Sequence, residues 1–142
     1  MKMANKSLVL IKPEGLIFRD QILERLQNEG RISYQKFYET TPLDILRNHY
    51  KEHEGTEIYP WLISYYEDKP LEVLIMEGEN IVPRIKSLVG PSDPRKANPG
   101  TLRSLSNDSL EDANREKRPI KNLVHCSSDD ISAIREVELW TL

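Results

Sequence analysis

The fold is read most directly from Ser7-Leu8-Val9-Leu10-Ile11-Lys12-Pro13-Glu14-Gly15. Its apolar residues, Leu8 to Ile11, form a compact β-prone run, which proline and glycine then interrupt. The run is far shorter than the ~20 residues that a membrane-spanning helix needs. The segment therefore predicts a buried strand that ends in a turn, with Lys12 directly after the strand.

Outward from this strand, the spacing of apolar residues predicts an alternation of helices and strands. Helices are predicted over 19–28, from Thr41-Pro42 onward, over 59–66 and 80–89, and after Ser127-Ser128-Asp129, and strands over 31–39, 71–76 and at Leu123-Val124. The order β, α, β, α, α, β, α, β, α indicates an α/β or α+β sandwich in which helices cover a sheet.

Two helices carry more specific predictions. Thr41 is expected to cap the second helix, with Pro42 at its tolerated first position. In the last helix, Ile131, Ile134 and Val137 recur at helical spacing and are expected to mark that helix.

Residues 90–119 have a different character, with four prolines, two glycines and no sustained apolar period. A loop of this length inside a compact domain is either functional or partly disordered. We therefore predict a single domain over 1–142 with a flexible insertion at 104–118.

Composition narrows the class of protein. With 38% hydrophobic and 30% charged residues, the chain has ordinary globular composition, and no apolar run predicts a membrane span. The N-terminal residues 1–6 are followed by too short an apolar stretch for a signal peptide, and the single cysteine, Cys126, cannot form an internal disulfide. These features predict a cytoplasmic protein. A net charge of −3 disfavours nucleic acid as the main partner.

Phosphate-binding backbone motifs are absent from the sequence, which contains neither a G-x-x-x-x-G-K-[ST] loop nor a G-x-G-x-x-G turn. Any phosphate site must therefore use side chains. His49 and His53 share one helical face, as zinc ligands do, but no third ligand is evident. Surface histidines are the simpler interpretation, and no protein-bound metal is predicted.

His125 lies at the end of a short apolar strand and just before the start of a helix. A neutral imidazole is a competent nucleophile, since its unperturbed pKa is about 6.5, and a helix N-terminus attracts phosphate. Glu136 lies along that helix, where it can reach back to orient the ring. On these residues alone, a structural histidine hydrogen-bonded in the core is the commoner outcome.

Five motifs, taken together and in order, resemble the nucleoside diphosphate kinase family. They are Leu8-Val9-Leu10-Ile11-Lys12-Pro13-Glu14-Gly15, Glu77-Gly78-Glu79-Asn80, Gly90-Pro91-Ser92-Asp93-Pro94, Pro99-Gly100-Thr101-Leu102-Arg103 and Asn122-Leu123-Val124-His125-Cys126-Ser127. The resemblance implies an α+β, ferredoxin-like sandwich with a four-stranded antiparallel sheet covered by helices. It also implies ping-pong transfer of a γ-phosphate between nucleoside tri- and diphosphates through a phosphohistidine on His125. Mg²⁺ would bridge the nucleotide phosphates, and the protein would be a homo-oligomer, a hexamer or a tetramer.

The same resemblance assigns roles to individual residues. Lys12 and Arg103 match the family's phosphate-binding lysine and arginine, and Tyr50 matches the tyrosine whose hydroxyl approaches the transferred group. The remaining matches are Ser92, a hydroxyl donor where the family has threonine, Asn122, which contacts the sugar, and Ser127 with Glu136, the pair around the histidine.

Several positions depart from the family pattern. Lys86 replaces a second phosphate-binding arginine, which predicts weaker nucleotide binding because the bidentate fork is lost. Ile58 replaces the aromatic residue that stacks on the base, and the adjacent Tyr59 is a candidate substitute. Cys126 replaces a glycine, and the segment 104–118 is longer and more polar than in the family. A weakened or inactive member that binds nucleotide or a protein partner is the alternative.

Overall fold

The computed structural model describes residues 5–142; residues 1–4, the start of the segment weighed above as a signal peptide, lie outside the described part. Its sheet contains β1 (Lys6–Ile11), β2 (Arg31–Tyr38), β3 (Leu71–Glu77) and β4 (Val124–Cys126). The strands lie in the order β2-β3-β1-β4, and each neighbouring pair is antiparallel. The predicted four-stranded antiparallel sheet is confirmed.

Six α-helices and four short 3-10 helices connect the strands within the described residues. The α-helices are α1 (Arg19–Gln27), α2 (Leu43–His49), α3 (Ile58–Tyr66), α4 (Ile81–Val89), α5 (Leu110–Arg115) and α6 (Asp130–Trp140), and the 3-10 helices are Pro13–Phe18, Lys51–His53, Pro94–Lys96 and Leu102–Leu105. Apart from α5 and the 3-10 helices, the element order is the predicted one. No helix among these residues is long and apolar enough to cross a membrane.

The central strand β1 is apolar from Leu8 to Ile11 because both faces of the sheet are covered. Val9 and Ile11 pack with residues of α1 and α4 on one face. Leu8 and Leu10 pack with residues of α2, α3 and α6, including Trp140, on the other face. Each buried leucine-sized side chain contributes roughly 1.5–3 kcal/mol of burial free energy, so this strand anchors both halves of the core.

The junction between β1 and β4 brings Lys12 beside the residues that precede His125. Leu10 pairs with His125 across the two strands, and the Lys12 backbone N–H donates to the Leu123 carbonyl at 2.9 Å. Leu123 itself has φ 78°, so the strand begins at Val124 rather than at the predicted Leu123. A Cβ on Gly15 would lie 2.2 Å from the Leu123 carbonyl oxygen, so only glycine allows this close approach.

One prediction about a helix residue is wrong. Pro42, rather than Thr41, occupies the N-cap position of α2, and the Thr41 hydroxyl donates instead to the Lys69 carbonyl at 2.8 Å. The helix marked by Ile131, Ile134 and Val137 is confirmed as α6, although Ile131 and Ile134 are exposed to solvent. The buried face of α6 is formed instead by Ala133, Glu136 and Trp140.

The segment 104–118 is not structureless, because it contains α5. The Ser109 hydroxyl caps this helix by accepting from the Asp112 N–H at 3.1 Å. Arg118 donates to both carboxylate oxygens of Asp108, at 2.7 and 2.9 Å, and these bonds lower the pKa of Asp108. The expectation of a loop without secondary structure is therefore wrong, while the flexibility of the insertion stays a prediction.

Candidate active site

His125 lies in the middle of β4 with its side chain 23% exposed. Its Nε2 atom lies 3.3 Å from Oε1 of Glu136, which α6 brings back over the strand. The Asp129 carboxylate caps α6 by accepting from the Ser132 N–H at 2.7 Å, which fixes where the helix begins. The sequence thus places a histidine and a carboxylate in contact at the edge of the sheet.

Ser127 connects the carboxylate of this pair to the central strand. Its buried hydroxyl donates to Oε1 of Glu136 at 2.8 Å and accepts from the Leu8 N–H at 3.1 Å. Burial alone would raise the pKa of Glu136, but the hydrogen bonds from His125 and Ser127 lower it overall. Glu136 is therefore an ionised carboxylate that can only accept hydrogen bonds.

His49 was predicted to lie on the surface, but the structure shows that it is buried. It is therefore a functional candidate that the sequence prediction missed. Its ring contacts the His125 ring edge-on with centroids 4.6 Å apart. Trp140 Nε1 donates to Nδ1 of His49 at 3.0 Å. The sequence held one signal that could have indicated this burial: His49 lies three residues after Leu46, on the buried face of α2.

The donor atoms of His49, His125 and Glu136 lie within 4.8 Å of one another, which is the spacing of a possible metal site. The hydrogen bond from Trp140 argues against one. An indole N–H can only donate, so Nδ1 of His49 is an acceptor and Nε2 carries the proton. A metal ligand must offer a lone pair, and the only lone pair of neutral His49 faces Trp140. The cluster is therefore better suited to hydrogen bonding than to binding a metal ion.

Lys12 is buried, and polar groups surround its ammonium group. Nζ donates to the Ile120 carbonyl at 2.8 Å and to Oδ1 of Asn122 at 3.0 Å. The Glu14 carboxylate lies 3.4 Å away. Burial lowers the pKa of Lys12 by disfavouring the charged form. These contacts hold the Lys12 side chain in one position.

Arg103 is fixed by its two terminal nitrogens, and its third nitrogen, Nε, is buried without a partner among residues 5–142. Nη1 donates to the Gly90 carbonyl at 3.0 Å and Nη2 to the Val124 carbonyl at 2.9 Å. Gly90 has φ 92°, a conformation that glycine adopts without strain. The buried Nε of Arg103 has no hydrogen-bond partner among residues 5–142. A buried donor without a partner costs about 1–3 kcal/mol.

Three further predicted residues lie in the same region. The side-chain amide of Asn122 donates to the Ser92 carbonyl at 2.9 Å, which joins two loops. The Tyr50 hydroxyl lies 3.5 Å from that of Tyr66, and burial raises the pKa of Tyr50 to about 12. Tyr50 is therefore a neutral phenol that can donate a hydrogen bond.

These side chains line one cavity of about 360 Å³. Its polar wall is formed by Lys12, Tyr50, Ser92, Arg103, Asn122 and His125. Ile58 lines it too, whereas Tyr59 is not among its lining residues in the described part of the chain. Lys86 lies in an adjoining cavity that shares Arg103 and His125, where its Nζ donates to the Ser128 carbonyl at 3.2 Å.

Cys126 occupies the position after the histidine without requiring the backbone freedom of glycine. The residue lies in β4, and its φ is not among the positive values found within residues 5–142. Burial raises the pKa of its thiol, so the sulfur remains protonated and poorly nucleophilic. The chemistry of the cavity therefore depends on His125 rather than on its neighbour.

Comparison with known families agrees with this geometry. A family model described as nucleoside diphosphate kinase matches residues 5–141. The chain belongs to the nucleoside diphosphate kinase family. Membership makes it an enzyme of nucleotide phosphate transfer, acting on nucleoside di- and triphosphates.

Relatives in this family span nearly the whole chain. A nucleoside diphosphate kinase of Rhodococcus opacus is 36% identical over 141 residues, which cover 97% of this chain and 95% of the relative. A nucleoside diphosphate kinase of Staphylococcus epidermidis is 31% identical over 138 residues, which cover 95% and 86%.

Solved structures of nucleoside diphosphate kinases share the fold. An NDP kinase from Pyrobaculum aerophilum aligns with a TM-score of 0.84 at 27% identity, covering 96% of this chain and 94% of that one. The kinase of Borrelia burgdorferi, solved as a transition state mimic with vanadate and ADP, aligns with a TM-score of 0.87 at 24% identity, covering 95% and 85%. The ferredoxin-like α+β fold predicted from the sequence is confirmed.

Proposed function

We propose that this chain transfers the γ-phosphate of a nucleoside triphosphate to a nucleoside diphosphate by a ping-pong mechanism with a phosphohistidine intermediate on His125. The observation that carries the proposal is the contact between His125 and the ionised Glu136 on a cavity that Lys12 and Arg103 also line. It combines an oriented nucleophile with two cations suited to phosphate.

The attacking atom follows from the hydrogen bond to Glu136. Because the carboxylate can only accept, Nε2 of neutral His125 carries the proton. The lone pair then lies on Nδ1, which attacks the γ-phosphorus while the bond to the leaving diphosphate oxygen breaks. Positive charge that develops on the imidazole is stabilised by Glu136. The second half-reaction reverses these steps with a different nucleoside diphosphate.

Phosphoryl transfer requires alignment and neutralisation of charge more than covalent assistance from the protein. Arg103 and Lys12 are both cations held in fixed positions on the same cavity. Both are suited to phosphate oxygens. Mg²⁺ enters as part of the nucleotide substrate, bridging its phosphates, and is not held by protein ligands.

The other predicted residues are assigned supporting roles. Tyr50 donates a hydrogen bond from its hydroxyl to the transferred phosphate. The Ser92 hydroxyl donates a hydrogen bond to phosphate, and Asn122 contacts the sugar. Ser127 holds Glu136 in place through the bonds described above. Lys86 binds phosphate from the adjoining cavity as a point charge, and Ile58, with Tyr59 next to it, lies nearest the base.

The family resemblance bears on the assembly of the protein, and its composition bears on its location in the cell. We infer a homo-oligomer, a hexamer or a tetramer, that acts in the cytoplasm. Analytical ultracentrifugation of the purified chain tests the first inference, since a monomer at micromolar concentration would contradict it.

Exchange of phosphate between GTP and ADP tests the reaction. The wild-type chain with Mg²⁺ should form ATP and GDP, whereas His125→Gln should bind ADP but form no ATP above background. Unfolding midpoints of the two proteins establish that the variant is folded. Binding of ADP by the wild-type chain without any exchange would favour the alternative, a binding protein that has lost turnover. Equal exchange by both proteins would refute the role of His125.

A further inference from the structure

Exposed large apolar side chains are concentrated at one helix outside the cavity. Ile131 and Ile134 of α6 are 75% and 54% exposed, and Leu142, two residues after this helix, is 92% exposed. Of the other exposed large apolar residues among 5–142, Ile58 and Leu110 line the cavity of the candidate active site. The residues at α6 do not line that cavity. Adjacent exposed apolar side chains of this kind indicate a surface that another molecule covers.

The exposed isoleucines belong to a continuous stripe along α6. Ile131, Ile134, Arg135 and Glu138 have the spacing i, i+3, i+4, i+7, so they lie on one face of the helix. All four are exposed. The opposite face is the buried one, which carries Glu136. These four exposed residues form what we call the outer face of α6.

The outer face carries one positive and one negative charge, and neither has an ion-pair partner among residues 5–142. Arg135 donates a hydrogen bond to the backbone carbonyl of Asn48, and this contact leaves its other guanidinium donors available. Glu138 lies three residues after Arg135, but the two side chains form no salt bridge with each other. An arginine that precedes a glutamate is the less favourable order for a pair within one helix. Both charges are therefore available to a partner.

Two copies of the outer face complement each other when their helices lie antiparallel about a two-fold axis. In such a contact, residue i meets residue j of the partner, and j meets i. With the axis between Arg135 and Glu138, Arg135 faces the partner's Glu138, and Glu138 faces the partner's Arg135. Toward the ends of the helices, Ile131 lies near the partner's Leu142. Apolar residues therefore meet apolar residues, and each charge meets its opposite.

We propose that the outer face of α6 is a self-complementary interface that binds the same face of a second copy of this chain. The proposal rests on the homo-oligomer inferred above. A tetramer or hexamer with closed dihedral symmetry contains more than one kind of contact, including a contact about a two-fold axis. Because the other contact already holds the copies close together, the face of a single helix is sufficient for this one.

Reversing the charges distinguishes this pairing from other uses of the same face. Arg135→Glu places two negative charges against each other at each ion pair, and Glu138→Arg places two positive charges there. Like charges in contact across an interface disfavour association. When the two variants assemble together, each reversed charge meets its opposite in the other chain. The contact can then form again.

Sedimentation velocity at micromolar concentration measures the mass of each assembly. Loss of one two-fold contact divides a closed dimer, tetramer or hexamer into halves, so each single variant should have half the wild-type mass. The double variant Arg135→Glu/Glu138→Arg should recover the wild-type mass. The two single variants, co-expressed with different affinity tags, should recover it as well.

Glu67→Arg is the matched control, because Glu67 is also an exposed glutamate near the C-terminal end of a helix, α3, and has no ion pair among residues 5–142. It should keep the wild-type mass. Unfolding midpoints are measured for every variant, since Arg135→Glu also removes the hydrogen bond to Asn48. Recovery of mass on co-expression cannot arise from unfolded chains, so this result decides the question even if a single variant is less stable.

Two outcomes would overturn the α6 interface. One is the wild-type mass in both single variants, and the other is a halved mass that neither co-expression nor the double variant restores. A wild-type chain that sediments as a monomer would overturn both this interface and the inferred homo-oligomer. Exchange of phosphate between GTP and ADP tests the proposed reaction separately, because its absence would refute that reaction, whereas failure of the interface would leave the reaction intact.

Discussion

Buried polar side chains, rather than apolar ones, determine how the site is organised at the scale of single residues. Glu136 takes a core position in α6 because His125 and Ser127 supply its hydrogen bonds. A buried carboxylate without such partners would be expelled or protonated. The hydrogen bond between Glu136 and His125 therefore both stabilises α6 and orients the histidine ring.

His49 links stability to pH in a predictable direction. Burial lowers the pKa of His49 to about 3, whereas an unfolded histidine has an ordinary value near 6.5. Between these values the unfolded chain takes up a proton that the native chain does not bind. Stability is therefore fully present above about pH 6.5 and declines as pH falls, by about 2 kcal/mol at pH 5 for this group alone.

Urea unfolding of the wild type, His49→Gln and His53→Gln at pH 8 and pH 5 measures this contribution. His49→Gln should lose most of the pH dependence, whatever its stability at pH 8. His53→Gln is the control, because its side chain is 39% exposed, and it should keep the wild-type dependence. An unchanged dependence in His49→Gln would mean that the ring is protonated in the native state.

Single residues also show what spacing alone does not predict in α6, namely which face of the helix is buried. Ile131 and Ile134 are the apolar residues at helical spacing, yet they face solvent, and Glu136 faces the core. Periodicity counts a glutamate as polar and outward-facing. The inward position of Glu136 depends on hydrogen bonds with His125 in β4 and with Ser127 between β4 and α6, which spacing within the helix does not reveal. The order of the elements showed that Glu136 can reach back to the ring, and the resemblance to a family assigned it the same role.

At the scale of elements, the start of β4 positions the nucleophile through backbone contacts. Leu123 has the left-handed φ that non-glycine residues avoid, and the Glu14 carboxylate accepts its N–H at 3.0 Å. Gly15 lets the turn after β1 approach its carbonyl. The turn after β1 and the residues just before β4 are distant in sequence, yet their contacts stabilise each other's position. His125 follows in β4, so these contacts also position its ring.

Replacing Gly15 by alanine should disturb this junction. The new Cβ would overlap the Leu123 carbonyl oxygen, so the first residues of β4 must move. We expect a loss of about 2–3 kcal/mol in the free energy of unfolding, the upper range for overpacking, together with reduced phosphate exchange. Urea unfolding and the GTP–ADP exchange assay measure the two effects.

Gly78→Ala provides the comparison for this element. A Cβ there would meet the nearest side-chain atom at 3.6 Å, an ordinary contact distance, and φ is not in the left-handed region. The free energy of unfolding of this variant should lie within about 1 kcal/mol of the wild-type value. If Gly15→Ala were equally well tolerated, the close approach would not be required for the position of β4.

Elements also differ in how far their sequences predicted them. The apolar runs of β1 and β3 and the spacing in α1 and α4 predicted these elements within one or two residues. Helix α5 was missed because its six residues include a single buried one, Ala113, which cannot produce a period. Its stability comes from the cap and from the ion pair between Asp108 and Arg118, which join residues that a local pattern does not relate.

The whole molecule is a sheet with both faces covered and a cavity at one edge. Each face has its own cluster of buried apolar residues, and the strand that carries His125 lies at one edge of the sheet. Composition predicted a single globular domain, and the order of elements predicted helices on a sheet. The distinction between α/β and α+β needed the strand pairing, because local spacing contains no information on which strands are neighbours.

The central claim for the whole molecule is that His125 is phosphorylated by the donor and dephosphorylated by the acceptor. Intact-protein and peptide mass spectrometry at alkaline pH measures this directly, after incubation with ATP and Mg²⁺ and then after addition of GDP. We predict one phosphoryl group per chain, on His125, that disappears with formation of GTP. An unmodified chain that still forms GTP, or a phosphoryl group on another residue, would contradict the account.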